Sequence, residues 1–174
     1  CIGASGLGQL GDGGKLSYGN TYLGTLNAVV GGIAFRSIDN GSQYTCALTP
    51  SGKAYCWGSD GGKLGDGPNG GDTSSPVAVA GGLTFNSIAT GGFHACGIAS
   101  DASMWCWGNN KDGQLGNAGA SGTSPVRAGG ALLGAEISAA GIATGSGAHT
   151  CAIGADRLTT YCWGRGDFGQ LGNG

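Results

Sequence analysis

The sequence predicts an all-β chain of propeller blades, on three observations. The phrase Cys-Trp-Gly recurs at Cys56-Trp57-Gly58, Cys106-Trp107-Gly108 and Cys162-Trp163-Gly164, with Cys1-Ile2-Gly3 as an altered fourth copy. Within a dozen residues of each copy comes a glycine-bracketed tag: Gly8-Gln9-Leu10-Gly11, Gly62-Lys63-Leu64-Gly65, Gly113-Gln114-Leu115-Gly116 and Gly169-Gln170-Leu171-Gly172. Finally, each repeat offers four short strand-like segments punctuated by glycine, and none long and periodic enough for a helix. Self-similarity at 55, 50 and 56 residues, the steps between those cysteines, marks a repeat fold in which each unit buries its apolar face against a neighbour. Four short strands per repeat suit a blade. The rungs of a β-solenoid, the runner-up, are shorter.

The cysteines set the register of a hairpin in each repeat. Tyr44 to Leu48 and Ala54 to Gly58 are the arms of the first. Placing Cys46 opposite Cys56 sets Ala47 against Tyr55 and Leu48 against Ala54, around a turn at Pro50-Ser51-Gly52. The second hairpin repeats this, with Gly97 facing Trp105, Ile98 facing Met104 and a turn at Ser100-Asp101-Ala102. In the third, Cys151 and Cys162 stand one residue further apart, which calls for a longer or bulged turn near Ala155-Asp156-Arg157. Opposed residues of antiparallel strands have Cα atoms about 4.5–5.5 Å apart, within disulfide range. Three cross-strand disulfides follow: Cys46–Cys56, Cys96–Cys106 and Cys151–Cys162. Each contributes about 2–3 kcal/mol through the loop it closes, and together they imply an oxidising compartment.

Zinc is the rival reading, because His94 and His149 each stand two residues before a cysteine. Tyr44 occupies the same place in the first repeat, and the cysteine spacing lacks the close Cys-x2–4-Cys knuckle, so no metal is expected. Cys1 is left over. Its counterpart falls about ten residues upstream, beyond the sequence, so it is read as unpaired or intermolecular, with lipidation a weaker alternative.

Two more strand segments complete each repeat. One carries Pro76-Val77-Ala78-Val79 and Ser124-Pro125-Val126-Arg127; the first repeat offers only Leu26-Asn27-Ala28-Val29-Val30. The other reads Phe35-Arg36-Ser37-Ile38, Phe85 to Gly91, and Ile142 to Gly145, the last preceded by a small insertion around Ala135 to Ala139. The expected organisation is a single array over 1–174. Its blades fall at about 14–58, 59–108 and 109–164, each closed by its Cys-Trp-Gly strand, with partial repeats at 1–13 and 165–174. Three blades are too few to close a ring, so a larger or assembled propeller is expected.

The Cys-Trp-Gly phrase, the tag, the Pro-Val segment and the Gly-x-x-His-x-Cys stretches at Gly91 to Gly97 and Gly147 to Ala152 resemble the regulator of chromosome condensation repeat. The resemblance spans essentially the whole chain and implies a β-propeller. The paired cysteines look like the secreted bacterial branch of that family. Ile2 in place of tryptophan, Tyr44 in place of histidine and the missing first Pro-Val segment depart from the pattern.

Composition narrows the function classes. Glycine is 41 of 174 residues, yet no Gly-X-Y triplet runs through the chain, which excludes collagen. Charged residues make up 10%, the net charge is −2, and the eight Lys and Arg are scattered from Lys15 to Arg165. That is no footprint for nucleic acid or an anionic membrane. No apolar run is long enough to span a bilayer; the nearest, Ala128 to Thr144, is broken by Glu136.

Trp57, Trp107 and Trp163 occupy equivalent repeat positions and read as packing between blades. Tyr55, Trp105 and Tyr161, each just before a cysteine, are assigned to the opposite face of the strand, as an aromatic position open to a protein partner. A glycan contact there has no other support, and cross-strand packing is the plainer role. His94 and His149 have no carboxylate neighbour in sequence and read as structural. Asp12-Gly13, Asp66-Gly67 and Asp112-Gly113 read as turns rather than calcium loops, and the tags lack the Lys-Ser/Thr of a phosphate loop. Asn40-Gly41-Ser42 is the sole sequon.

No nucleophile–base pair or cofactor fingerprint stands out, so no catalytic residue and no cofactor are expected. The leading expectation is a non-enzymatic extracellular or cell-surface scaffold binding a protein partner or further copies of itself. A structural subunit of an extracellular fibre comes second. Small-GTPase exchange or chromatin binding, carried by the family resemblance alone, comes last.

Overall fold

The computed structural model describes residues 1–14, 22–129, 139–145 and 147–174. Thirteen strands are present among them: β1 (Gly3–Ala4), β2 (Tyr22–Leu23), β3 (Ser37–Asn40), β4 (Tyr44–Leu48), β5 (Ala54–Gly58), β6 (Thr73–Ala78), β7 (Phe85–Thr90), β8 (His94–Ala99), β9 (Met104–Gly108), β10 (Gly122–Arg127), β11 (Ala139–Thr144), β12 (His149–Gly154) and β13 (Thr160–Gly164). They form antiparallel meanders: β1-β2, β3-β4-β5-β6, β7-β8-β9-β10 and β11-β12-β13. The described residues contain no helix. This is the all-β architecture of propeller blades.

The hairpins adopt the expected register. Cys46 pairs with Cys56, Ala47 with Tyr55 and Leu48 with Ala54; Cys96 pairs with Cys106, Gly97 with Trp105 and Ile98 with Met104. All three disulfides form, with Cα atoms 4.1, 4.0 and 4.1 Å apart, closer than in an unbridged pair. In the third hairpin the extra residue goes into the turn, where the Asp156 carboxylate accepts the N–H groups of Leu158 and Thr159 at 3.0 Å.

Sheet boundaries fall elsewhere than the blades expected at 14–58, 59–108 and 109–164. The Pro-Val strand pairs back onto the preceding Cys-Trp-Gly strand: Cys56 faces Val77 and Cys106 faces Val126. The Cys-Trp-Gly strands β5 and β9 are therefore third of four, while β13 ends the three-stranded sheet, and the two complete sheets span 37–78 and 85–127. Pro76 and Pro125 sit on the outer strand, where a missing N–H costs no ladder bond. In the first repeat the strand is Tyr22–Leu23 rather than Leu26 to Val30, although Asn27 still exchanges backbone hydrogen bonds with Cys1. The insertion around Ala135 to Ala139 lies outside the described residues except for Ala139, which opens β11.

Successive blades stack by one rule. The alternation of a strand sends Cys46, Leu48, Ala54 and Cys56 to one face, where they pack on Phe85, Ala95 and Trp107 of the next sheet. The next interface repeats this, with Cys96, Ile98, Met104 and Cys106 meeting Ala152 and Trp163. A disulfide face thus lies against a tryptophan face each time. Hydrogen bonds pin the stack: the indole N–H of Trp57 donates to the Gln9 carbonyl at 3.0 Å, that of Trp107 to Lys63 at 2.9 Å, and that of Trp163 to Gln114 at 3.0 Å. The second residue of each of the first three tags receives the tryptophan of the following blade.

The tag glycines make room for this contact. Gly65 has φ +68°, and a Cβ there would stand 2.7 Å from the Trp107 indole. Gly61 has nearly the same φ, +65°, but open space around it. Gly65→Ala should cost about 2–3 kcal/mol, from left-handed strain plus overpacking, against about 1 kcal/mol for Gly61→Ala. Urea denaturation of the two variants checks this; equal losses would mean that the indole does not press on the tag.

Candidate functional site

The first strands of the sheets, β3, β7 and β11, run side by side. They bring equivalent residues of three repeats to one inner lip: Asn40, Thr90 and Thr144 end these strands, and each is followed by glycine. A cavity of about 360 Å³ opens here, lined by Asp39, Asn40, Ser42, Thr90, Thr144, Gly41 and Gly91. Asp39 clamps two blades together. Its Oδ2 accepts the N–H of Thr90 at 2.7 Å and the Thr90 hydroxyl at 3.0 Å, while Oδ1 accepts the N–H of Asn40 at 3.1 Å. Sequence reasoning passed over Asp39. The available signal was its departure from the repeat, which carries Ala89 and Ala143 at the same position.

Beside the lip runs a buried polar chain. Tyr44 donates its hydroxyl to the carbonyl of His94, and burial, then the charge of Asp39, pushes its pKa far up. His94 Nε2 lies 2.8 Å from the Thr150 hydroxyl, which donates to the Gln114 carbonyl at 2.8 Å. With that proton spent on Gln114, Nε2 must be the donor to Thr150, which assigns the tautomer. The Nδ1 atom then faces no partner among the described residues.

Burial, reinforced by the nearby His149, lowers the His94 pKa from 6.5 to about 4. A histidine whose folded pKa is depressed contributes stability above its unfolded pKa, lost as pH falls toward the folded value. The fold should therefore be about 2–3 kcal/mol weaker at pH 4.5 than at pH 7 from this group alone. Denaturation midpoints at the two pH values, with His94→Gln as the flattened control, measure it. An equal pH dependence in the variant would remove His94 as the cause.

The sequence-predicted aromatics do not converge. Phe35 packs on Tyr55 (centroids 6.1 Å apart) and on Trp57 (5.7 Å), so Tyr55 and the Cys-Trp-Gly tryptophan share a face rather than occupying opposite ones. Residues two apart on a strand point the same way. Trp105 is half-buried and donates its indole N–H to the Ser103 hydroxyl at 2.8 Å. Tyr161 is 47% exposed; Ala139 stands where the other repeats have Phe35 and Phe85. The three aromatics lie in three successive blades.

The tags show what their glutamines do. The Oε1 atoms of Gln9, Gln114 and Gln170 accept the N–H two residues earlier at 3.0, 3.0 and 2.8 Å, which folds the loop. Lys63 cannot accept; in its tag the Asp60 carboxylate takes the N–H groups of Gly62 and Leu64. The freed ammonium of Lys63 lies 5.4 Å from the Tyr44 ring centroid and 5.8 Å from that of Phe93. Its pKa is lowered by burial, against the opposing pull of Asp72 and Asp60.

The zinc alternative loses its thiols to disulfides, and among the described residues no three His, Cys, Asp or Glu side chains converge. Among the described residues no helix is long and apolar enough to cross a membrane.

The model of the regulator of chromosome condensation (RCC1) repeat matches residues 35–62 and 85–114. The fold is similar to human WBSCR16, with a TM-score of 0.77 and 21% identity over 94% of this chain and 41% of that one. Yeast RCC1 (Prp20), solved bound to Kap60, gives 0.67 and 22% over 80% of this chain and 34% of its own. The ectodomain of the Physcomitrella patens receptor kinase CR4 gives 0.54 and 25% over 82% and 32%. The chain thus spans less than half the length of each. No curated protein sequence matches it.

Proposed function

We propose that this chain, an array of RCC1-type repeats, is a non-enzymatic extracellular or cell-surface scaffold that binds protein partners. One observation carries the reading. Cys46–Cys56 and Cys96–Cys106 are wholly buried between blades, so the stack is organised around oxidised sulfur. Such pairs persist outside the reducing cytosol. The likeness to a receptor ectodomain supports the location, and the capture of yeast RCC1 with Kap60 supports protein binding. Differential alkylation and mass spectrometry of protein from its native source should find the six paired cysteines oxidised. Free thiols at Cys46 and Cys56 would overturn the extracellular reading. The exchange-factor alternative is tested by nucleotide release from a small GTPase, which the chain should leave unchanged.

A second reading, assembly into a larger propeller or fibre, rests on Ile153. It is 45% exposed, whereas its equivalents Leu48 and Ile98 are covered by the next blade. Light scattering should then show association; compact monomers at all concentrations would count against self-assembly.

A further inference from the structure

Asp39 and Thr90 form an internal template for a second site. Asp39 lies opposite Cys46 in its sheet, as Ala89 lies opposite Cys96. Thr144 pairs with Thr150 in the register in which Thr90 pairs with Ala95. Between the first two complete sheets, a carboxylate from the Asp position is held by the N–H and hydroxyl of the facing threonine. One blade further on, the threonine is retained as Thr144, but the carboxylate is replaced by the methyl of Ala89. The Thr144 hydroxyl is buried and has no hydrogen-bond partner among the described residues. By the alternation of ladder bonds, its N–H points off the inner edge of β11 as that of Thr90 points off β7. The same residue lines the 360 Å³ cavity. A buried hydroxyl without a partner costs free energy that an acceptor would recover.

We propose that the Thr144 end of this cavity binds a carboxylate, in the manner in which Thr90 holds Asp39. The ligand is either a small free acid or an Asp or Glu side chain of a protein partner. The site stands whether or not the scaffold reading does, because its chemistry is internal to the blades. Among the described residues Asp39 is the one acidic side chain lining the cavity and no cation lines it; Asp39 is already satisfied by three donors. The incoming acid therefore meets two hydrogen bonds and some repulsion, which sets affinity near the millimolar range.

The test is an amide-resolved NMR titration of the 174-residue chain with sodium acetate, and with a capped Gly-Asp-Gly peptide, at ionic strength fixed by chloride. A capped Gly-Asn-Gly peptide is the neutral control. The Thr144 amide should shift saturably with both acids and not with the asparagine peptide. Thr144→Val, which keeps the shape and removes the hydroxyl, should weaken binding about tenfold or more. Ala89→Asp supplies the missing carboxylate from within; it should abolish the acetate response and raise the melting temperature. A response stronger for the peptide identifies a partner's side chain as the source; equal responses identify a free acid. No saturable shift at Thr144 in the native chain overturns the proposal. So does an acetate response that survives Thr144→Val, or, if that variant fails to fold, one that survives Ala89→Asp.

Discussion

Replacing Trp107 with alanine should lower the unfolding free energy by about 3–5 kcal/mol, the range for deleting a large buried ring. The side chain is fully buried, lies 5.9 Å from the Phe85 ring between centroids, and packs in the cluster holding Cys46, Leu48 and Cys56 of the preceding sheet. Its N–H is also the donor found for the Lys63 carbonyl, so truncation leaves a buried acceptor unpaired. Here Lys63 differs from the other tags. Gln9 also receives the Thr45 hydroxyl and Gln114 that of Thr150, while Ala95 occupies the corresponding place beside Lys63. Trp107→Phe retains most of the packing and loses the hydrogen bond, for about 1–2 kcal/mol. Urea denaturation followed by circular dichroism gives both numbers. A Trp107→Ala midpoint close to that of the native chain would mean that the sheets are not held by this contact, and the stacking rule drawn from the three tryptophans would fail with it.

What the sequence made legible was whatever the repeat states more than once. The hairpin register followed from cysteines at equal spacing, because a period-two strand leaves little freedom once two opposed residues are fixed. The strand that closes each sheet was misplaced because Val77 and Val126 reach Cys56 and Cys106 across a long tag loop, and nothing local announces that pairing. Placing Tyr55 and Trp57 on opposite faces ignored the alternation that the same strand had supplied, and the Phe35 ring touching both shows the error. The lip cavity was hidden for a different reason. It is built from single departures from the repeat, Asp39 against Ala89 and Ala143, and a reading that seeks recurrence passes over them. Lys63 is a departure of the same kind, legible as one lysine among three glutamines, though its perch beside Tyr44 and Phe93 needs the neighbouring blade.

Paired Cys→Ala substitutions should separate the three disulfides. Their loops are nearly identical, with separations of 10, 10 and 11 residues, so chain entropy assigns each about 2.5–3 kcal/mol. Burial distinguishes them. Cys46, Cys56, Cys96 and Cys106 are fully buried against the next sheet, whereas Cys151 and Cys162 are half-buried. Removing either of the first two pairs should also open a void beneath Trp107 or Trp163, adding about 1 kcal/mol or more. The same contrast governs reduction, because a thiolate must reach a sulfur atom directly. Cys151–Cys162 should open first in dithiothreitol, at least roughly tenfold faster than the others, which become accessible only when blades separate. Timed alkylation and peptide mapping resolve the three rates. Equal rates would show that every bridge waits for global unfolding, and that packing one blade on the next shields no disulfide more than another.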